Sequence, residues 1–210
     1  VALEKEKKLA HVVQRHGQTT LNAKKAYRGR LDPHLDDKGK KQAQDAADNL
    51  KNEGIKVERV VSSPLLRALE TADTIAEAYD LPVTQDRGIL SFDVGFLGGK
   101  NKEDFGEILT YFIEHSGSVI PDGESLEDLE QRTFEFFEKE LRSDKLTCFV
   151  THNSNIVCLQ NQIEGNKSGI PESDEVSVKP GGTMGIYVDS DGKYSVEVLF
   201  GKEEEAAFGS

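Results

Sequence analysis

The chain has 210 residues, 36% hydrophobic and 30% charged, enough apolar material for one sizeable α/β domain and without the bias that leaves a chain disordered. Its formal net charge of −12 at pH 7 repels nucleic acid and acidic membrane surfaces, so neither is expected as a partner. The same field repels small phosphorylated molecules, and a phosphate site in this chain has to be a local positive focus.

The opening stretch VALEKEKKLA has no apolar core of signal-peptide type. No apolar run approaches the roughly 20 residues needed to span a bilayer. Cys148 lies in the apolar run TCFV and Cys158 in a helical stretch, the settings of buried thiols rather than of a disulfide framework or metal site. These features point to a reducing cytoplasm.

In chain order, LAHVVQ (9–14) reads as a strand. Residues 39–54 read as a helix, with Ala43, Ala46, Ala47 and Leu50 on one face and Gly54 as its stop. VERVVS (57–62) is a second strand. A helix opens at Ser63-Pro64, a capping serine followed by proline at the first helical position, and runs to about Tyr79. PVTQD (82–86) is a short strand, and a helix ends near His115. A long helix with an apolar face covers 123–142, a strand 147–151 and a short helix 154–163. TMGIYVD (183–189) and YSVEVLF (194–200), joined by a Ser-Asp-Gly turn, read as a hairpin. Alternating strands and helices predict a three-layer α/β/α sandwich with a mostly parallel central sheet, the C-terminal β-hairpin adding antiparallel strands at one end. One domain is expected over 1–203, with a polar tail over 204–210.

Three of the strands end in residues with catalytic potential. The first ends Gln14-Arg15-His16-Gly17. The second ends Ser62-Ser63, with Arg67 one helical turn beyond. A later one ends Thr151-His152-Asn153. Ligands of open α/β sheets bind beyond the carboxyl ends of the strands. If these three strands are parallel neighbours, two imidazoles and two guanidiniums meet at one edge. Arginine suits a forked grip on phosphate oxygens. A neutral imidazole beside it can attack phosphorus while the guanidiniums neutralise the transition state.

The octet RHGQTTLN (15–22) resembles the signature of the histidine phosphatase superfamily, which holds cofactor-dependent phosphoglycerate mutases and many small phosphatases. YRGRLDPHLDDKGKKQA (27–43), SSPLLRALETA (62–72), PDGESLEDLEQR (121–132) and VTHN (150–153) resemble its further blocks, in the same order. The resemblance implies that His16 is the nucleophile and that Arg15, Arg67 and His152 bind and polarise the phosphoryl group. It implies further phosphate contacts from Gln18, Asn22 and Asn153, with Arg28 at the rim and Gly17 letting the backbone pass close to the phosphate.

In one place the pattern breaks. In much of the family a glutamate four residues before a Gly-x-x-x-Gly step is the general acid. Here that step is Gly95 to Gly99 and the position is Ser91. Asp93 or Glu124 is the candidate replacement, and the pattern does not choose between them. The missing glutamate favours transfer to water. The expectation is a metal-independent phosphatase acting on small phosphomonoesters, with no cofactor. The alternatives are a phosphoglycerate mutase and a non-catalytic phosphate- or phosphopeptide-binding domain. His11, His34 and His115 read as structural or solvated, and no metal ligand set is expected from them. Lys24, Lys25, Arg28 and Arg30 form the main basic cluster, either a solvated face or a grip on a second anionic group.

Overall fold

The computed structural model describes residues 6–165 and 178–202. Six strands form one sheet in the order β3-β2-β4-β1-β5-β6. They are β1 (Lys7–Arg15), β2 (Arg59–Ser62), β3 (Val83–Gln85), β4 (Thr147–Thr151), β5 (Val178–Asp189) and β6 (Tyr194–Lys202). The first four run parallel to one another, and β5 and β6 add the antiparallel hairpin.

Alternation along the strands decides the layers, because successive side chains point to opposite faces. Val12, Val60, Cys148 and Val150 share one apolar cluster with Ala47 and Leu50 of α2 (Asp37–Asn52) and Ala68, Ala72 and Ile75 of α3 (Leu66–Tyr79). Their neighbours Val13, Val61 and Phe149 belong to the opposite cluster. That one holds Phe136 and Phe137 of α5 (Leu126–Glu140) with Ile156 and Leu159 of α6 (Asn153–Glu164). Each such side chain, fully buried, contributes roughly 1.5–3 kcal/mol. The sheet with helices on both faces is the architecture the sequence pattern predicts.

The start of α3 differs from expectation. It begins at Leu66, two residues late, and Leu65 at its N-cap makes no side-chain capping bond. Asp32 Oδ1 instead accepts from the Leu66 N–H at 2.7 Å. The orphan donor is met from a distant loop, while Ser63 Oγ accepts from the N–H of the N-cap residue Leu65 at 3.4 Å. α5 opens at Ser125, which forms a capping box with Asp128. β5 begins at Val178, five residues before the predicted strand, and its pairing with β6 is irregular between Val178 and Met184. The predicted tail over 204–210 lies outside the described residues.

Two helices flank the region between strands and site. α1 (Thr20–Ala23) is a single turn closed by a Thr19–Asn22 capping box. α4 (Lys102–Glu114) has no fully buried residue. It lies with Phe105, Leu109, Phe112 and Ile113 against a third apolar cluster that includes Tyr27, Phe92, Val94 and Leu97. Gly106 sits in its interior, where glycine costs about 1 kcal/mol relative to alanine. Among the described residues no helix is long and apolar enough to cross a membrane.

Candidate active site

β4 lies between β2 and β1 with all three parallel, so their carboxyl ends open at one edge. The first residue past each of β1 and β2 is pinned to β4. The His16 N–H donates to the Thr151 carbonyl at 3.1 Å, and the Ser63 N–H to the Val150 carbonyl at 3.0 Å. His16 and His152 are buried, with ring centroids 5.2 Å apart.

The surroundings set the state of both rings. His16 Nδ1 lies 2.7 Å from the Gly17 carbonyl, which can only accept, so Nδ1 carries the proton and Nε2 of the neutral ring keeps its lone pair. Burial, followed by Arg67, Arg28 and Arg15, holds the pKa of His16 well below 6.5. His152 is lowered in the same way, by burial first and then by Arg67 and His16. Its Nε2 lies 2.8 Å from Ser63 Oγ. Its buried Nδ1 finds no hydrogen-bond partner among the described residues.

Two arginines tie the edge together. Arg15 donates from Nη1 to Asn153 Oδ1 at 3.1 Å and to the Val178 carbonyl at 2.7 Å, linking β1 to α6 and β5. Arg67 is fully buried and donates to the Leu31 and Gly29 carbonyls at 2.7 and 2.9 Å. Burial lowers its pKa to about 10, with Asp32 opposing the shift, so the guanidinium stays charged at neutral pH. Its buried Nε also has no partner among the described residues. Two buried polar atoms at this edge are thereby without a partner among the described residues.

The other expected contacts are placed differently. Gln18 donates from its side chain to Asp36 at 3.0 Å, holding the N-terminus of α2. Asn22 Oδ1 accepts from both the backbone and the hydroxyl of Thr19, which leaves only its amide N–H groups for a ligand. The close approach at Gly17 is to another backbone segment, since a Cβ there would lie 2.4 Å from the Gly39 carbonyl oxygen. The Gly17 N–H donates to Thr71 Oγ1 at 3.1 Å.

A cavity of about 280 Å³ opens beside His152, and Arg28, Ser91, Asn153 and Ser154 line its polar side. Among the described residues no carboxylate lines it. Asp93 is paired with Arg30 at 3.1 Å. Glu124 accepts on both oxygens, from Arg30 at 3.0 Å and from Arg132 at 2.8 Å, and also receives the Asp93 N–H at 2.9 Å. Both Glu124 oxygens are thus occupied by guanidinium donors. Neither Asp93 nor Glu124 is among the described residues lining this cavity, while Asp93 lines a neighbouring pocket that shares Arg28. Ser91, at the position where the family pattern has glutamate, does line the cavity.

The remaining basic and imidazole groups divide cleanly. Lys25 pairs with Glu103 on the surface, His34 pairs with Glu70, and His115 stacks on Tyr111. His11 is buried and receives the Thr147 N–H at 3.3 Å. Of the basic cluster, Arg28 reaches the cavity. Sequence reasoning missed Ser63 as the partner of His152, Thr71 as the partner of Gly17, and α4 as a wall. Only the fold brings these segments together.

A sheet edge that presents two neutral imidazoles among charged guanidiniums defines an α/β protein with a dense anion site. The family model of the histidine phosphatase superfamily (branch 1) matches residues 12–196, and the chain belongs to that superfamily. It is 31% identical over 169 residues to a 2,3-bisphosphoglycerate-dependent phosphoglycerate mutase of Bartonella bacilliformis, covering 75% of this chain and 82% of the relative. Among solved structures it resembles a mycobacterial glucosyl-3-phosphoglycerate phosphatase, with TM-score 0.74 and 22% identity over 94% of this chain and 100% of that one. It also resembles the alpha-ribazole phosphatase of Shigella flexneri, with TM-score 0.74 and 22% identity over 95% and 100%. At that identity the structural likeness establishes the fold.

Proposed function

We propose that the chain hydrolyses small phosphomonoesters through a phosphohistidine on His16, with arginines supplying the positive charge. The observation that carries this reading is the tautomer of His16. Its Nδ1–H is committed to the Gly17 carbonyl, and burial among arginines keeps the ring neutral, so Nε2 is a ready nucleophile at neutral pH. In the first step the Nε2 lone pair forms a bond to phosphorus as the bond to the ester oxygen breaks. Arg15, Arg67, Arg28 and His152 stabilise the charge on the transferring group, with amide contacts from Asn22 and Asn153. Water then attacks phosphorus, the P–N bond breaks, and His16 returns to its neutral form as phosphate leaves.

A second reading is favoured by the curated relatives, which are named as 2,3-bisphosphoglycerate-dependent phosphoglycerate mutases. Among the described residues no carboxylate lines the cavity, which supports the phosphatase, since a mutase must protonate an alkoxide leaving group on each passage whereas a phosphatase can act on esters whose alcohol leaves unprotonated. Incubation with labelled substrate and rapid quenching should leave an acid-labile phosphate on His16. His16→Ala should lose nearly all turnover with its thermal unfolding intact. Label on a serine, or full activity in that variant, overturns the nucleophile. Conversion of 3-phosphoglycerate to 2-phosphoglycerate that outpaces phosphate release establishes the mutase.

A further inference from the structure

The cavity beside His152 has a second side. Tyr27, Phe92, Val94, Leu109 and Ile113 make it largely apolar, with Gly106 between them and Lys102 at its end. On α4 the residues at 102, 106, 109 and 113 follow the i, i+4, i+7, i+11 spacing of a single stripe, and all four line the cavity. Gly106 is the one position on that stripe without a side chain.

Most glycines around the site are explained by crowding. A Cβ on Gly17, Gly95 or Gly123 would come within 2.4 Å of a backbone oxygen. Gly106 is different, because a Cβ built there meets nothing within 4 Å. Its backbone is helical, so it needs no left-handed freedom, and glycine weakens the helix. What it leaves is open volume on the cavity stripe. A space of about 150 Å³ accommodates a benzene ring, and the cavity is about 280 Å³.

Among the described residues the same cavity has no lining carboxylate. An alkoxide would need a proton as it leaves, but a phenolate departs without one and is protonated afterwards by solvent. The geometry points to aryl phosphates as the substrate class, with the ring of the leaving phenol against Phe92, Leu109 and Ile113 in the space above Gly106. This rests on the phosphatase reading for its chemistry, though the ring subsite can be measured without turnover. Hydrolysis consumes one water: the P–O bond to the ring breaks, phosphohistidine forms and is hydrolysed, and phenol and phosphate are released.

Non-hydrolysable phosphonates test the subsite by calorimetry. Phenylphosphonate should bind at least tenfold more tightly than methylphosphonate. Gly106→Leu fills the space and should reduce that preference to below threefold without lowering the melting temperature. Gly106→Ala, the milder change, should raise the melting temperature and reduce the preference partially. In turnover, the ratio of kcat/KM for naphthyl phosphate to that for acetyl phosphate should fall at least tenfold in Gly106→Leu. Acetyl phosphate also has a good leaving group but carries no ring. Equal affinity for the two phosphonates, or a phenyl preference that survives Gly106→Leu, overturns the subsite. A phenyl preference retained by a protein that releases no phosphate from any ester overturns the phosphatase reading and leaves the subsite standing.

Discussion

Arg67 is asked to do two things at once. Its two Nη groups organise the 29–31 loop through the Gly29 and Leu31 carbonyls, while its charge acts on both His16 and His152. Arg67→Ala should lose about 2–4 kcal/mol of transition-state stabilisation, roughly 30- to 1000-fold in kcat/KM. Arg67→Lys keeps the charge but cannot reach two carbonyls with a planar fork. It should retain more activity than alanine and yet unfold at lower temperature than the parent. Steady-state kinetics with thermal unfolding checks both effects. A loss below threefold in the alanine variant would remove Arg67 from the phosphate site. Ser63 shows the same economy, since its hydroxyl both meets His152 and accepts from the N–H of Leu65 at the start of α3.

The loop over residues 89–99 and helix α5 are joined through one carboxylate. Glu124 receives Arg30, Arg132 and the Asp93 N–H, and Arg132 also donates to the Gly88 and Leu90 carbonyls at 2.9 and 3.0 Å. This clasp fixes the segment that carries Ser91 and Phe92 into the cavity. Glu124→Gln keeps the shape and removes the charge that two guanidiniums share. Because the pairs are part-exposed, the expected destabilisation is about 1–3 kcal/mol, a fall in Tm on the order of 5 °C. Any loss of activity should be the same for alkyl and nitrophenyl phosphates. A selective loss on alkyl phosphates would restore Glu124 as the general acid.

Across the whole molecule, three histidines are buried and shifted the same way. His11, His16 and His152 all have pKa values lowered from 6.5, each by burial first. The unfolded chain therefore binds more protons than the folded one between the lowered values and about 6.5. Stability rises with pH in that window and is lost as pH falls below it. The urea midpoint should be flat from pH 8 to 7 and fall between pH 6.5 and 5. His11→Asn should reduce this slope while leaving the acid limb of activity in place, because that limb follows protonation of His16. A midpoint independent of pH across 5 to 7 would mean that the histidines are protonated in the fold.

From the sequence by itself came the strand and helix alternation and the placement of His16, Arg67 and His152 at or just beyond strand ends. These are local facts, because the two-residue period of a strand and the position of its last apolar residue lie within a few residues of each other. The ordered motifs carried the family for the same reason. Tertiary structure alone decided the rest. Ser63 and His152 are 89 residues apart in the chain, Asp32 and Leu66 34, and Asp93 and Glu124 31. No periodicity reports on such pairs. The sequence left Asp93 and Glu124 open as the acid, and their partners, Arg30 and Arg132, are chosen by how the loop folds onto α5. The meaning of Gly106 is also tertiary. An isolated helix shows only a weak residue there, and its value as empty space exists once α4 stands against the cavity.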